Sequence, residues 1–323
     1  MTMIVLVALA AGCASALMFA SIISGALISL LLLYFAPLPL MVAGLGWGPL
    51  AATIGGIGAA TGLGAIFGLP FLIGFVVMMA LPAWWLGHLA LLGRPVANAG
   101  PNEGATPAPP IMEWYPVGRI LLWIAGFGTL STVATLFTLG TDAATITEAL
   151  RAGLLRVLGP RVATGDDVQQ RIDAAVMILP AAAANSAMTM LMLNFWLAAR
   201  ITATSGRLRR SWPDLKSTEL PPMTLAALSA AIAFCFSGGL LGMVALSITA
   251  ALLMTYALIG FAVLHTLTTG LKGRGLWLAC SYAMVLMSGG WFILVMTALG
   301  IGDAIFGFRR RYLQRRPPPV PVS

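Results

Sequence analysis

The chain has 323 residues, of which 59% are hydrophobic and 9% charged, and its mean hydropathy is +0.96. Soluble domains carry roughly 25% charged side chains, so this composition excludes a water-covered globule and requires a lipid bilayer as the main solvent. The formal charge of +8 comes without a basic and aromatic binding module, which directs it to anionic headgroups and excludes a nucleic-acid partner.

A helix needs about 20 apolar residues to cross ~30 Å of hydrocarbon, so spans are the unit to count. Residues 1–93 hold no Asp, Glu, Lys or Arg. Glycine and proline at Ser24-Gly25, Pro37, Pro39, Gly48-Pro49, Gly68 and Pro70 predict breaks between spans at 3–22, 25–44, 49–68 and 71–92. These make an N-terminal helical half over 1–93. Residues 94–118, with Pro101, Pro107, Pro109 and Pro110, read as a polar loop.

A C-terminal helical half over 119–304 begins with a span at 119–140. The charged segment 141–173 follows, in which Ile146, Leu150, Leu154 and Leu158 recur every four residues while Glu148 and Arg151 take another face. This predicts an amphipathic helix ending at Gly159-Pro160, lying on the membrane surface or acting as a lid. A sixth span at 174–199 leads to a basic loop with Arg200, Arg207, Arg209, Arg210 and Lys216. The uncharged stretch 220–271 reads as two helices, Lys272 and Arg274 mark a loop, and a last span covers 276–300. Residues 305–323 form a basic, Pro-rich tail.

The predicted fold is all-α, a polytopic transmembrane bundle of about 8–9 spans. Its sidedness is contradictory. Short loops rich in Lys and Arg stay in the cytoplasm, yet three spans between the 200–216 loop and the tail place these two basic segments on opposite sides. Either one span is a re-entrant or interfacial helix or one segment escapes the rule; the expectation is that both segments lie inside.

No catalytic constellation is present. The two histidines, His88 and His265, each near the end of a span, exclude a histidine-rich metal site and make a His-based triad barely possible. No GxxxxGK[ST] phosphate loop occurs. The three cysteines, Cys13, Cys235 and Cys280, sit in apolar spans and form no disulfide framework. We therefore expect no enzyme, no cofactor and no metal.

Interior polarity is uncharged instead. On the sixth span Asn185, Thr189 and Trp196 share one helical face, with Asn194 beside it, and these are the candidate ligand-binding residues together with His265. The same groups serve as hydrogen-bonding glue between helices. Small residues recur at Ala10 and Ala14 of the first span and at Gly58 and Gly62 of the third, spacings that permit close helix approach and partner docking.

The ending Gly300-Ile301-Gly302-Asp303, with Phe306, Phe308 and Arg309-Arg310-Arg311, resembles the C-terminal signature of the YybS-like family of uncharacterised bacterial membrane proteins. The segment Gly260-Phe261-Ala262-Val263-Leu264-His265 is similar to one carried a helix earlier in that family. The resemblance implies distant similarity to S components of energy-coupling-factor transporters. Those are helical subunits that capture vitamins or metal ions and dock, through an Ala-xxx-Ala face, onto a transmembrane coupling subunit with separate ATPases. Ala10 and Ala14 match that face.

Two functions follow as expectations. One is a small-molecule-binding, S-component-like subunit of a transporter. The other is a non-catalytic scaffold or assembly factor binding other membrane proteins. The alanine and glycine content points to a high-GC bacterium and hence to the inner membrane.

Overall fold

The computed structural model describes residues 1–96, 111–159, 166–288 and 290–314. The proline cluster at 101–110, Pro160 and the tail from Arg315 onward lie outside those residues. The regular structure of the described chain is helical apart from one short antiparallel ladder, β1 (Gly93–Val96) with β2 (Ile111–Trp114).

Seven helical stretches are long and apolar enough to cross a bilayer, and the count reaches eight if one bent pair near the C-terminus is a single span. The chain is a multi-pass α-helical membrane protein, and seven to eight candidate spans lie among the described residues, at the lower edge of the expected eight to nine. Two stretches account for the difference. Residues 220–271 hold only one helix of spanning length, α11 (Gly239–Leu267), preceded by the 13-residue α10 (Met223–Cys235). The expected span 276–300 is broken into α12 (Arg274–Met287) and α13 (Trp291–Phe306), because Gly290 takes a φ of 96° that L side chains rarely adopt.

The chain forms two compact units, Met1–Thr135 with Ser186–Trp212, and Leu136–Asn185 with the chain from Pro213 on. Helices α7 (Val117–Leu139) and α9 (Asp166–Thr204) each contribute to both.

The first unit is built around α1 (Thr2–Ala20) packed on α4 (Pro49–Phe67). Gly48, at φ 98°, reverses the chain, and Pro49 then starts α4 at a position where its missing N–H costs no helical bond. Small side chains allow the two backbones to touch. A Cβ on Gly12 would lie 2.3 Å from the Gly55 carbonyl oxygen, and one on Gly55 would lie 2.4 Å from that of Ala8. Larger groups fill the remaining space, with Phe19 edge-on to Phe71 and Phe75.

The second predicted span is broken at Pro37 into α2 (Leu27–Phe35) and α3 (Leu38–Trp47). Prolines remove donors from the helical ladder, and in lipid every carbonyl left over needs another partner. Ser15 Oγ donates to the Ala36 carbonyl, and Asn194 Nδ2 donates to that of Tyr34 at 2.7 Å.

In the second unit α11 is the central helix, with Tyr256, Ala257, Ile259 and Val263 buried. It packs against α13 through glycines: a Cβ on Gly260 would lie 1.9 Å from the Met296 carbonyl oxygen, and one on Gly300 2.0 Å from that of Tyr256. No side chain fits at either place without separating the helices. We expect Gly300→Ala to lower stability by about 1–3 kcal/mol through overpacking, read as a fall in the midpoint of thermal unfolding in detergent. Gly62→Ala, where nothing lies within 4 Å of the new Cβ, leaves that midpoint unchanged or higher.

Candidate functional site

The residues at the end of α13 make a buried polar knot. Gly307 ends the helix, its N–H donating to the Asp303 carbonyl at 2.8 Å, and the short α14 (Phe308–Gln314) leaves at 64°. This turn brings Arg309 back onto Asp303. The Arg309 backbone N–H donates to Asp303 Oδ1 at 2.8 Å and its Nε–H to Oδ2 at 2.7 Å. Arg309 Nη1 donates to the carbonyls of Lys216 and Thr218, at 2.7 and 2.8 Å. Both side chains are less than a tenth exposed. These hydrogen bonds to both carboxylate oxygens and from Nε and Nη1 offset the cost of burying the pair. Phe308 lies over Gly302, where a Cβ would come within 2.9 Å of the ring, and stacks on Phe306.

Gly260, Gly300, Asp303, Phe308 and Arg309, singled out by resemblance, are thus brought into helix packing and a buried latch. None presents a free reactive group.

The predicted ligand-binding residues are distributed differently. Asn185 and His265 fall in the second unit, and Thr189, Asn194 and Trp196 in the first. Asn194 is buried, and Nδ2 is committed to the carbonyls of Tyr34 and Met190 while Oδ1 has no partner. Trp196 is largely exposed under the Arg200 guanidinium, 5.9 Å from its ring centroid. His265 is half-buried with Nε2 2.9 Å from Tyr282 Oη, and Tyr282 in turn stacks on Phe261. Asn185 and Thr189 are half-buried on α9. The small residues Ala10, Gly58 and Gly62 are exposed, and Ala14 is half-buried.

A cleft of about 570 Å³ lies elsewhere, between α8 (Ala143–Leu158) and the N-terminal end of α11. It is open and mainly apolar. Ala143, Thr147, Glu148 and Arg151 of α8 line it, with Gly239 and Met243 of α11. Helix α8 is well specified by its sequence. Asp142 caps its start, Oδ1 accepting from the Thr145 N–H at 2.9 Å and Oδ2 from the Thr145 hydroxyl at 2.6 Å. Those two bonds hold the Asp142 carboxyl below the usual carboxylate range.

Ile146 anchors α8 with no exposed surface, Leu150 and Leu154 are half-buried, and Gly159 ends the helix. Arg151 is tied to Asp173 and Gln169 of α9. Glu148 is exposed at the cleft wall. Sequence periodicity found α8, but the contribution of Gly239 and Met243 carried no local signal. Asn185, Thr189, Asn194, Trp196 and His265 do not line this cleft. Among the described residues no group of three or more His, Cys, Asp or Glu is placed to hold a metal ion.

Fold and surface together define a multi-pass helical membrane protein. Over residues 157–304, just under half the chain, it is similar to a family described as a predicted membrane protein (DUF2232). The matched segment contains Gly260, Gly300 and Asp303 and stops before Phe308 and Arg309. No curated protein and no solved structure matches the chain.

Breaking one side of the Asp303–Arg309 latch leaves a buried charge uncompensated, which costs about 3–5 kcal/mol. We therefore expect Asp303→Asn and Arg309→Met each to lower the unfolding midpoint sharply. Combined with Asp303→Leu, Arg309→Met recovers part of the loss, and a double-mutant cycle in detergent measures the coupling.

Proposed function

We propose that the chain is a small-molecule-capturing membrane subunit whose ligand enters the cleft between α8 and the N-terminal end of α11. The observation that carries this reading is the cleft: a mainly apolar hollow of about 570 Å³ with Glu148 at its wall. Ligand sites are commonly apolar concavities with a few placed polar groups, and a carboxylate beside apolar walls suits a small amphiphile with a cationic or zwitterionic group. Helix α8 fits the lid expected of the 141–173 segment. The resemblance to S components adds the class of partner, a transmembrane coupling subunit with separate ATPases, and a bacterial inner membrane as the setting.

A ligand present at 100 times its Kd stabilises the folded state by about 2.7 kcal/mol. A screen of vitamins and cofactors against the purified protein is therefore expected to find a compound that raises the unfolding midpoint by a few degrees. Thr147→Trp fills the cleft and abolishes that shift without lowering the midpoint of the unliganded protein, and Glu148→Gln weakens it. A pool that produces no shift, or a shift that survives Thr147→Trp, sinks the reading.

One observation favours the second reading, a scaffold that binds other membrane proteins. Ala10, Gly58 and Gly62 are exposed small residues on α1 and α4, and no atom of the described chain lies within 4 Å of a Cβ on Gly62. Such surfaces admit a neighbouring helix closely. On this reading Gly58→Leu with Gly62→Leu leaves stability intact and removes a specific adduct from in-membrane cross-linking. An unchanged cross-linking pattern rejects docking at this face.

A further inference from the structure

The second unit carries its charges unequally along α11. Two contacts place the chain's last helix at the C-terminal end of α11: Arg309 Nη1 donates to the Lys216 and Thr218 carbonyls, and the Tyr312 hydroxyl donates to the Thr269 carbonyl at 2.8 Å. Gly300 meets α11 at Tyr256 and Gly260. With a rise of 1.5 Å per residue, α13 reaches Thr269 through Tyr312 only by running in the same direction as α11. Helices α12 and α13 therefore form a hairpin about Gly290, and the segment at Lys216, the turn at Lys272 and the start of the tail all lie at one end.

This removes the contradiction in sidedness. The segment from Lys216 to Gly239, which includes α10 packed along α11, leads back from the C-terminal end of α11, and the apolar stretch 276–300 turns back instead of crossing once, so both basic segments meet at that end. The shared end carries Lys216, Lys272, Arg274, Arg310 and Arg311, against Asp214 and Glu219. In sequence the same connection also holds Arg207, Arg209 and Arg210, and the tail holds Arg315 and Arg316. Toward the opposite end the sequence of α8, the start of α9 and their connection holds Arg151, Arg156, Arg161 and Arg171 against Asp142, Glu148, Asp166, Asp167 and Asp173. Helix α11 has 29 residues, about 43 Å at the helical rise, which exceeds the ~30 Å of hydrocarbon. Its two ends emerge on opposite faces.

We propose that the end of this unit bearing Lys216, Lys272, Arg274, Arg310 and Arg311 rests on the anionic cytoplasmic leaflet, and that the α8–α11 cleft opens on the opposite, outer side of the membrane. The physical ground is the retention of Lys- and Arg-rich short segments in the cytoplasm and their attraction to anionic headgroups. The inference stands without the ligand reading. Joined to it, it makes the captured molecule one that arrives from outside.

The test uses sealed membrane vesicles of both orientations and needs no ligand, so its result is separate from the fate of that reading. On a Cys13→Ser, Cys235→Ser, Cys280→Ser background, Thr147→Cys is expected to react with a membrane-impermeant maleimide in right-side-out vesicles alone. Lys272→Cys is expected to react in inside-out vesicles alone. The reverse pattern, or reaction of both from one side, overturns the proposal. Should the cysteine-free chain fail to fold, the chain with its native cysteines and an epitope after Ser323 gives the same answer. Trypsin strips that epitope in inside-out vesicles only, and its loss in right-side-out vesicles overturns the proposal.

Discussion

The contact of Gly260 and Gly300 between α11 and α13 is the constraint on which the second unit depends. Lipid tails are as apolar as leucine, so helices in a bilayer are joined by close packing and not by escape from water. Here the backbones approach until a Cβ would sit 1.9 or 2.0 Å from a carbonyl oxygen. This contact sets α13 alongside α11, and the end of α13 in turn delivers Asp303 and Arg309 to the Lys216 and Thr218 carbonyls. A buried ion pair alone is weak evidence of stability. Its value here is positional: it fastens the chain end to a loop some 90 residues earlier, and it can form only where the glycines have placed it.

The membrane class and most helix ends were legible because they are written locally. Gly48-Pro49 and Gly159 stop or start helices by backbone geometry, and α8 declares itself by periodicity and by the Asp142 cap. What hid was anything that needs a distant partner. Residues 276–300 sum to one apolar span, and hydropathy does not register that Gly290 folds them into a hairpin. Residues 223–235 are as greasy as a span but too short to be one. Arg309, Arg310 and Arg311 look alike in sequence, yet only Arg309 is buried and paired while Arg310 and Arg311 remain outside.

The polar face of the sixth predicted span shows the same limit from another side. Asn194 stands beside that face as an amide able to hydrogen-bond a ligand or a partner helix. The partner is the chain itself. Pro37 and Pro39 interrupt the second span, and Asn194 with Ser15 takes up carbonyls at that break. A buried amide and a proline 157 residues apart in sequence are thus one device, which spacing on a single helix could not reveal. The signature residues are similar in kind: Gly260, Gly300, Asp303 and Arg309 serve architecture, not chemistry.

With those groups accounted for, the question of function narrows to surfaces the fold does not consume. Helix α8 is the clearest of them. Its Asp142 cap, its buried Ile146 and the Arg151 tie to Asp173 and Gln169 fix its start and its middle. A helix that only needed to lie on lipid would require none of these. Membrane-surface helices are held by their apolar face and by headgroup contacts, whereas α8 directs Ile146 into protein and shares a hollow with Gly239 and Met243 of α11. Fixing one wall of that hollow rigidly leaves Glu148 at a defined place beside an apolar surface. Pre-set geometry of that kind lowers the ordering cost of binding.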